Sequence, residues 1–263
     1  MNSPVELSDP YAVPSVYDIL HTPGTAAEVD LLERLAARFD APGGRRRRWL
    51  EPACGTGRYL RVLAGRGWRA AGFDLDEGML DYARRGLRRR GTSRRVELLR
   101  ADMTAFADHF GEESFDVAFV LVNSFRHLMR ASEVRAHLRD MARVLRPGGL
   151  YFVGISLTIY GEEDPTEDEW TGRRGPCTVH QLVQYLPPDR ATRRETVISH
   201  IEVLRPGGLQ VLDTTYPLRS YDEAQWRATL RGSDFERAGV VDDRGRPLGG
   251  HPTTYQLEIL RRT

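Results

Sequence analysis

A carboxylate followed by two glycines, Glu51-Pro-Ala-Cys-Gly55-Thr-Gly57, is the stretch of this 263-residue chain best suited to chemistry. It lies between the apolar pair Trp49-Leu50 and a helical pattern beginning near Arg58, which predicts a strand, a Gly-rich turn and a helix. That context is a nucleotide-type site at the end of a parallel strand. Glu51 narrows the ligand, because a carboxylate repels a pyrophosphate and welcomes an ammonium. S-adenosylmethionine carries an ammonium and a sulfonium and no phosphate. Leu60 also stands where a G-x-G-x-x-G dinucleotide turn has its third glycine. Charge and glycine spacing therefore favour S-adenosylmethionine over NAD. The competing explanation is a turn that serves only close strand–helix packing.

Further polar residues follow the next strands. Strand two ends in Gly72-Phe-Asp74, and Asp74 lies 17 residues past Gly57, placed to accept both ribose hydroxyls. Asp76 already supplies a helix cap there. Strand three is followed by Ala101-Asp102-Met103, where the acid can accept adenine amino hydrogens and Met103 can pack on the ring; the alternative for Asp102 is a cap for 103–107. Strand four leads into Asn123-Ser-Phe-Arg-His127. A methyl transfer needs a nucleophile in line with the sulfonium and sometimes a base, and His127 has a suitable intrinsic pKa. Asn123 either orients substrate or holds the loop.

The elements that must position these groups alternate. Strands are expected at Trp49–Ala53, Arg69–Leu75, Val96–Arg100, Phe115–Val122 and Leu150–Ser156. Helices are expected at Arg58–Arg66, from Asp76 to about Arg90, and from Ser132 to Leu145, the last stopped by Pro147-Gly-Gly. Near-continuous apolar strands joined by helices imply a parallel sheet buried on both faces with right-handed crossovers. Before them, Thr25-Ala-Ala-Glu28 reads as a capping box opening a helix to about Phe39. After Ser156 the pattern changes: residues 158–176 read as an acidic loop, and runs at 179–186, 194–204 and 209–219 read as an antiparallel layer. Ser220-Tyr-Asp-Glu223 reads as a second capping box, with a helix to about Ala238 and short strands at 239–242 and 254–260. The fold class is thus α/β, a Rossmann-like doubly wound, mostly parallel sheet with an inserted antiparallel β lid and an N-terminal helical flap. The expected divisions are 1–44 flap, 45–157 cofactor-binding core, 158–219 lid, and 220–263 completing the core.

Composition excludes other classes. Hydrophobic content is 40% and net charge +1, so no strong field selects nucleic acid or a membrane. All 38 basic residues are arginine, which reads as codon bias and weakens the meaning of any one arginine. Arg45–Arg48 and Arg84–Arg95 are read as solvated faces balanced by acids. Cys54 and Cys177 suggest neither a disulfide framework nor a metal site. No export signal or membrane span is evident, so the expected location is the cytoplasm.

From Trp49 to Val153 the chain resembles the class I S-adenosylmethionine-dependent methyltransferases. Glu51–Gly57 resembles their first motif with Ala53 in place of the usual first glycine, Asp74 their acid after strand two, and Asp102 their adenine-binding acid. Leu145-Arg-Pro-Gly-Gly-Leu150 resembles their link into strand five. The strand-four loop and the antiparallel insertion resemble the small-molecule branch that includes amino-sugar and glycine N-methyltransferases. There an N-terminal tyrosine and the strand-four histidine face the substrate, which implies Tyr11, Tyr17 and His127 here. Leu121-Val-Asn-Ser-Phe125 is not the Asn/Asp-Pro-Pro-Tyr that holds a flipped base, so nucleic-acid substrates are disfavoured.

The expected cofactor set is Glu51, Ala53, Gly55, Gly57, Asp74, Leu75, Met79, Asp102, Met103 and Leu121, holding S-adenosylmethionine and releasing S-adenosylhomocysteine. Asn123, Tyr160, Trp170 and Arg219 are the expected substrate contacts, and the acidic run Glu162–Glu169 is a weaker candidate for attracting an amine. No metal is expected. The implied function is methyl transfer to a nitrogen or oxygen of a small molecule, with a place in secondary metabolism. The alternatives are an NAD-linked oxidoreductase and a non-catalytic S-adenosylmethionine-binding protein. The acceptor and the oligomeric state stay open, a homodimer being the candidate assembly.

Overall fold

The structure is a computed structural model that describes residues 13–248 and 255–263. Tyr11 lies outside the described residues. In chain order the helices are α1 (Pro14–His21), α2 (Thr25–Arg38), α3 (Arg58–Gly65), α4 (Glu77–Arg89), α5 (Ala131–Val144) and α6 (Glu223–Leu230). The first five strands are β1 (Arg48–Pro52), β2 (Arg69–Asp74), β3 (Val96–Arg100), β4 (Phe115–Val120) and β5 (Leu145–Ser156). They are followed by β6 (Thr166–Arg174), β7 (Cys177–Tyr185), β8 (Arg194–Arg205), β9 (Gly208–Arg219), β10 (Phe235–Val241) and β11 (Tyr255–Arg262).

Seven strands form the central sheet in the order β10-β11-β5-β4-β1-β2-β3. β1 to β5 run parallel, and β11 is antiparallel to both β5 and β10. Strand order reverses between β1 and β4, so a crevice opens beyond their carboxyl ends. Alternate residues of β4 explain the two layers. Ala118 and Val120 join a cluster with Val134, Leu138 and Met141 of α5 and Trp226 of α6. Val117 and Phe119 join one with Val29 and Leu32 of α2, Leu60 and Leu63 of α3 and Leu80 of α4. The N-terminal segment thus resolves into α2, packed in the core, and α1, which lies on the second sheet.

That second sheet is antiparallel, in the order β6-β7-β8-β9. One face packs Val179, Ile201, Val203 and Leu212 against Val16, Ile19 and Leu20 of α1. Gly172 of β6 permits this approach, since a Cβ there would stand 2.5 Å from the Ile19 carbonyl oxygen. Among the described residues no helix is long and apolar enough to cross a membrane.

The structure corrects several expected boundaries. Residues 166–174, expected as loop, form β6; its acids are exposed because it is an edge strand, where charge is tolerated and discourages further pairing. The last helix ends at Leu230, before Gly232 at φ +80°, and 235–241 is a strand. Its cap is Asp222, whose carboxylate accepts from Gln225 N at 2.7 Å, rather than Ser220. Thr25 does not cap α2: Gly24 holds the N-cap position, and the Thr25 hydroxyl donates to Thr22 O while accepting from Arg58. Arg130 and Glu133 close the start of α5 in place of Ser132, and β5 already begins at Leu145, through Pro147-Gly-Gly149.

Candidate active site

The turn after β1 places three residues in the left-handed region, Ala53 (φ +49°), Gly55 (+50°) and Gly57 (+68°). Such a backbone costs an L-residue about 1–2 kcal/mol, so Ala53 is held there by its surroundings. Gly57 serves packing, because a Cβ on it would meet the Ala83 methyl of α4 at 3.0 Å. Asp74 closes the turn: one carboxylate oxygen accepts from Gly55 N at 2.7 Å and the other from Asp76 N at 3.0 Å. Burial raises its pKa against the lowering effect of those two amides.

A cavity of ≈ 530 Å³ opens on this turn. Ala53, Gly55, Asp74, Leu75 and Met79 line one side, and Asp102 and Met103 another. Leu75 is 56% exposed, an apolar side chain among the residues that line the cavity. Asp102 is not a helix cap, since 103–104 is a turn closed by an Asp102–Ala105 bridge; one oxygen accepts from Thr104 N and Oγ1, both at 2.7 Å. His137, buried beneath, contacts the Met103 carbonyl through Nδ1 at 2.9 Å, and burial pushes its pKa down to about 4. Asp74→Ala is expected to weaken cofactor binding by roughly 1–3 kcal/mol, the scale for losing hydrogen bonds to a charged group. Unchanged affinity in a calorimetric titration would contradict the ribose assignment.

Glu51 lies behind the turn, 5% exposed, with Oε2 buried and without a hydrogen-bond partner. Arg58, the nearest strong cation, is turned to Thr25, Glu28 and Tyr59 instead. Burial pushes the Glu51 carboxyl well up, Arg58 offsets part of this and Asp74 adds to it. A buried carboxylate with an orphaned oxygen fits a ligand that brings an ammonium. The residues at the turn therefore suit S-adenosylmethionine: Glu51 for its ammonium, Asp74 for the ribose, Asp102 and Met103 for the adenine. Cys54, also buried, has its pKa pushed well up, which removes a thiolate from consideration.

The loop after β4 is strained and pinned. Val122 (φ +53°) and Asn123 (φ +61°) are successive left-handed residues, and Val122 is β-branched. Tyr255 accepts from Val122 N at 3.1 Å. Asn123 donates to Ser156 Oγ at 3.0 Å and accepts from Ser156 N at 2.7 Å, so it holds the loop. Arg126, 3% exposed, donates to Glu195 of β8 at 2.5 Å and to the Arg219 carbonyl at 2.8 Å. The loop is thereby bolted to both sheets, and the His127 ring stacks near Tyr216 of β9 at 5.8 Å and 20°. Burial, reinforced by Arg126, lowers the His127 pKa, which favours the neutral imidazole.

A second, smaller cavity of ≈ 90 Å³ adjoins the first, between this loop, α1 and the antiparallel sheet. Tyr17, Ser124 and His127 line both. His21, Trp170, Tyr185 and Tyr216 add aromatic rings to the smaller slot, and Gln181 adds a carboxamide. Tyr17 crosses the glycine turn, with a Gly55 Cβ position 3.8 Å from its ring, and its ring centroid is 4.3 Å from that of His21. Burial and Arg58 push His21 down to about 4 against the opposing effect of Asp18.

Of the expected substrate contacts, Asn123 and Trp170 reach this slot. Tyr160 does not, being bonded to Ser220 and Gln225. Arg219 does not either; it donates to the Met129 carbonyl and stands beside Tyr221. Leu121 is packed in the core next to Gly154. Glu162–Glu169 lies away from both cavities: Glu169 pairs with His180 at 2.8 Å and Glu163 accepts from Ile159 N. His21, Gln181, Tyr185 and Tyr216 were not anticipated. His21 alone had a signal, lying four residues after Tyr17 on the same helix face. No cluster of His, Cys, Asp or Glu suited to a metal occurs among the described residues.

Residues 50–149 match the methyltransferase domain family. The doubly wound sheet and the carboxylates at its strand ends are similar to the core of a class I S-adenosylmethionine-dependent methyltransferase. The chain spans about half the length of the first curated relatives it matches. One is demethylmenaquinone methyltransferase of Clavibacter sepedonicus, 35% identical over 137 residues, 52% of each chain. A longer match is dTDP-3-amino-3,4,6-trideoxy-alpha-D-glucopyranose N,N-dimethyltransferase of Streptomyces venezuelae, 27% identical over 186 residues, 69% of this chain and 72% of that protein. In fold, the chain is similar to the S-adenosylmethionine-bound amino pentose methyltransferase CalS10 of Micromonospora echinaspora, with TM-score 0.70, 22% identity and full coverage of both chains.

Proposed function

We propose that this protein transfers a methyl group from S-adenosylmethionine to an amine nitrogen of a small molecule. One observation carries the reading: the cofactor cavity and the aromatic slot meet at Tyr17, Ser124 and His127, so a group held in the slot faces the place where the methyl must be. When bound, the cofactor supplies an electrophilic methyl on a sulfonium. Tyr17 and His127 position the acceptor and, with α1 and the antiparallel sheet, exclude water. Among the described residues that line it the slot has no carboxylate; it is built of aromatic rings, the Asn123 and Gln181 carboxamides, the Ser124 hydroxyl and apolar groups. Ring faces stabilise the positive charge that builds on nitrogen, by ~0.5–2 kcal/mol. Neutral His127 can take up the proton that the methylated nitrogen then loses. A hydroxyl acceptor is the second reading and rests on His127 acting as a base.

The similarity to an amino-sugar N,N-dimethyltransferase supports an amine. In this reading nucleic acid is not a substrate, the enzyme works in the cytoplasm, α1 and the antiparallel sheet serve as flap and lid, and a homodimer is the assembly to test. His127→Ala is expected to lower turnover by on the order of 100-fold or more while cofactor affinity stays nearly intact. Equal turnover would reduce His127 to a structural role.

A further inference from the structure

Apart from Glu195 at one end and the Tyr185 and Tyr216 rings, the inner face of the antiparallel sheet is apolar except along one line. Val179, Val183, Val197, Ile201, Val203, Leu212 and Leu218 are buried on it, yet Gln181 of β7, Ser199 of β8 and Thr214 of β9 cross its middle. Ser199 is the register partner of Thr214, and Gln181 donates to Ser199 Oγ at 2.8 Å. Gln181 is 8% exposed and Thr214 6%, and both keep a buried oxygen without a hydrogen-bond partner, Oε1 and Oγ1. An unpaired buried polar atom is costly, and an apolar residue would complete this face at no such cost. The Gln181 side chain lines the slot that ends at His127.

We infer that Gln181 selects the acceptor: its Oε1 accepts a hydrogen bond from a hydroxyl carried on the same small molecule as the reacting amine. The substrate class is then a hydroxylated amine, such as an amine on a polyhydroxylated ring, rather than an apolar amine. Ser199 holds the carboxamide through its Nε2, which leaves Oε1 as the unpaired atom of a side chain that lines the slot. The aromatic walls hold the ring or chain between the amine at His127 and the hydroxyl at Gln181. This rests on the amine-methyltransferase reading above and sharpens it.

The test uses the full-length protein with S-adenosylmethionine, following S-adenosylhomocysteine release. The acceptors are 3-amino-3-deoxyglucose, its counterparts each lacking one hydroxyl, and cyclohexylamine. For the wild type, removing one particular hydroxyl is expected to lower kcat/KM roughly 10- to 100-fold, mostly through KM. Gln181→Met, of similar length, is expected to lose that discrimination, its kcat/KM on the fully hydroxylated acceptor falling to that on the deoxy counterpart, while its cofactor affinity is kept because Gln181 does not line the cofactor cavity. Equal use of hydroxylated and deoxy acceptors by the wild type overturns the inference while leaving the amine-methyltransferase reading intact, and this arm needs no variant. Discrimination retained in Gln181→Met also overturns it, as does cofactor binding without turnover on any of these amines. Failure to bind S-adenosylmethionine would instead strike the underlying reading.

Discussion

Asp18→Ala is expected to lower the stability of the fold by about 3–5 kcal/mol, the cost of breaking a buried ion pair from one side. Asp18 is 3% exposed and accepts from Arg61 at 2.5 Å, Arg174 at 2.8 Å and the Tyr82 hydroxyl at 3.1 Å. Those donors come from α3, β6 and α4, so one carboxylate of α1 joins the core to the antiparallel sheet. Arg174 is half exposed and can return to water, but Arg61 is 6% exposed and would be left a buried, poorly compensated charge. Burial alone would raise the Asp18 pKa; the Arg61 and Arg174 guanidiniums outweigh it and the net shift is down from 3.8. A lowered native pKa means that the stabilisation is complete above the unfolded value and disappears as pH falls through the native one. The stability gap between wild type and variant, measured by denaturant unfolding, should therefore narrow as pH falls below about 3.8. A gap under 1 kcal/mol at pH 7, or one that acid does not change, would contradict the role of Asp18. Since α1 also carries Tyr17 and His21, the acceptor KM should rise in the same variant.

The other large effect concerns Glu51. Glu51→Gln keeps the size of the side chain and removes its charge. Removing one partner of a buried charge pair costs about 2–5 kcal/mol, so the cofactor Kd should rise roughly 30- to 5,000-fold. The sign of the pH effect follows from the raised carboxyl in the free protein. A bound ammonium lowers that pKa, so binding expels a proton and affinity falls as pH drops below the raised value. Calorimetry in two buffers of different ionisation enthalpy should detect proton release in the wild type and none in Glu51→Gln. Equal affinity and equal proton release would remove Glu51 from the site.

The cavity at the glycine turn was legible in the sequence because the residues that line it are placed by local logic. Glu51 and Asp74 stand at the ends of β1 and β2 and Asp102 lies just past β3, and parallel strands bring such ends to one side. The aromatic slot was not, because it depends on which face of the antiparallel sheet turns inward. Period-2 alternation puts Gln181 with Val179 and Val183, and Tyr216 with Thr214 and Leu218, but does not say which set meets α1. β6 was hidden by its acids, which an edge strand tolerates. Arg126 gave no signal among 38 arginines, yet it bolts the His127 loop to β8 and β9. Tyr160 and Arg219 were expected in the acceptor site from their place in the insertion, and the chain carries both past it to the side of α6 and Tyr221.

The most direct measurement is a parallel calorimetric titration of the purified protein with S-adenosylmethionine, S-adenosylhomocysteine and NAD. Micromolar binding of the first two and none of NAD is the predicted result, and it would justify the amine panel. Binding of NAD alone, or no binding of S-adenosylmethionine, would contradict the assignment of Glu51 and Asp74 and the function built on them.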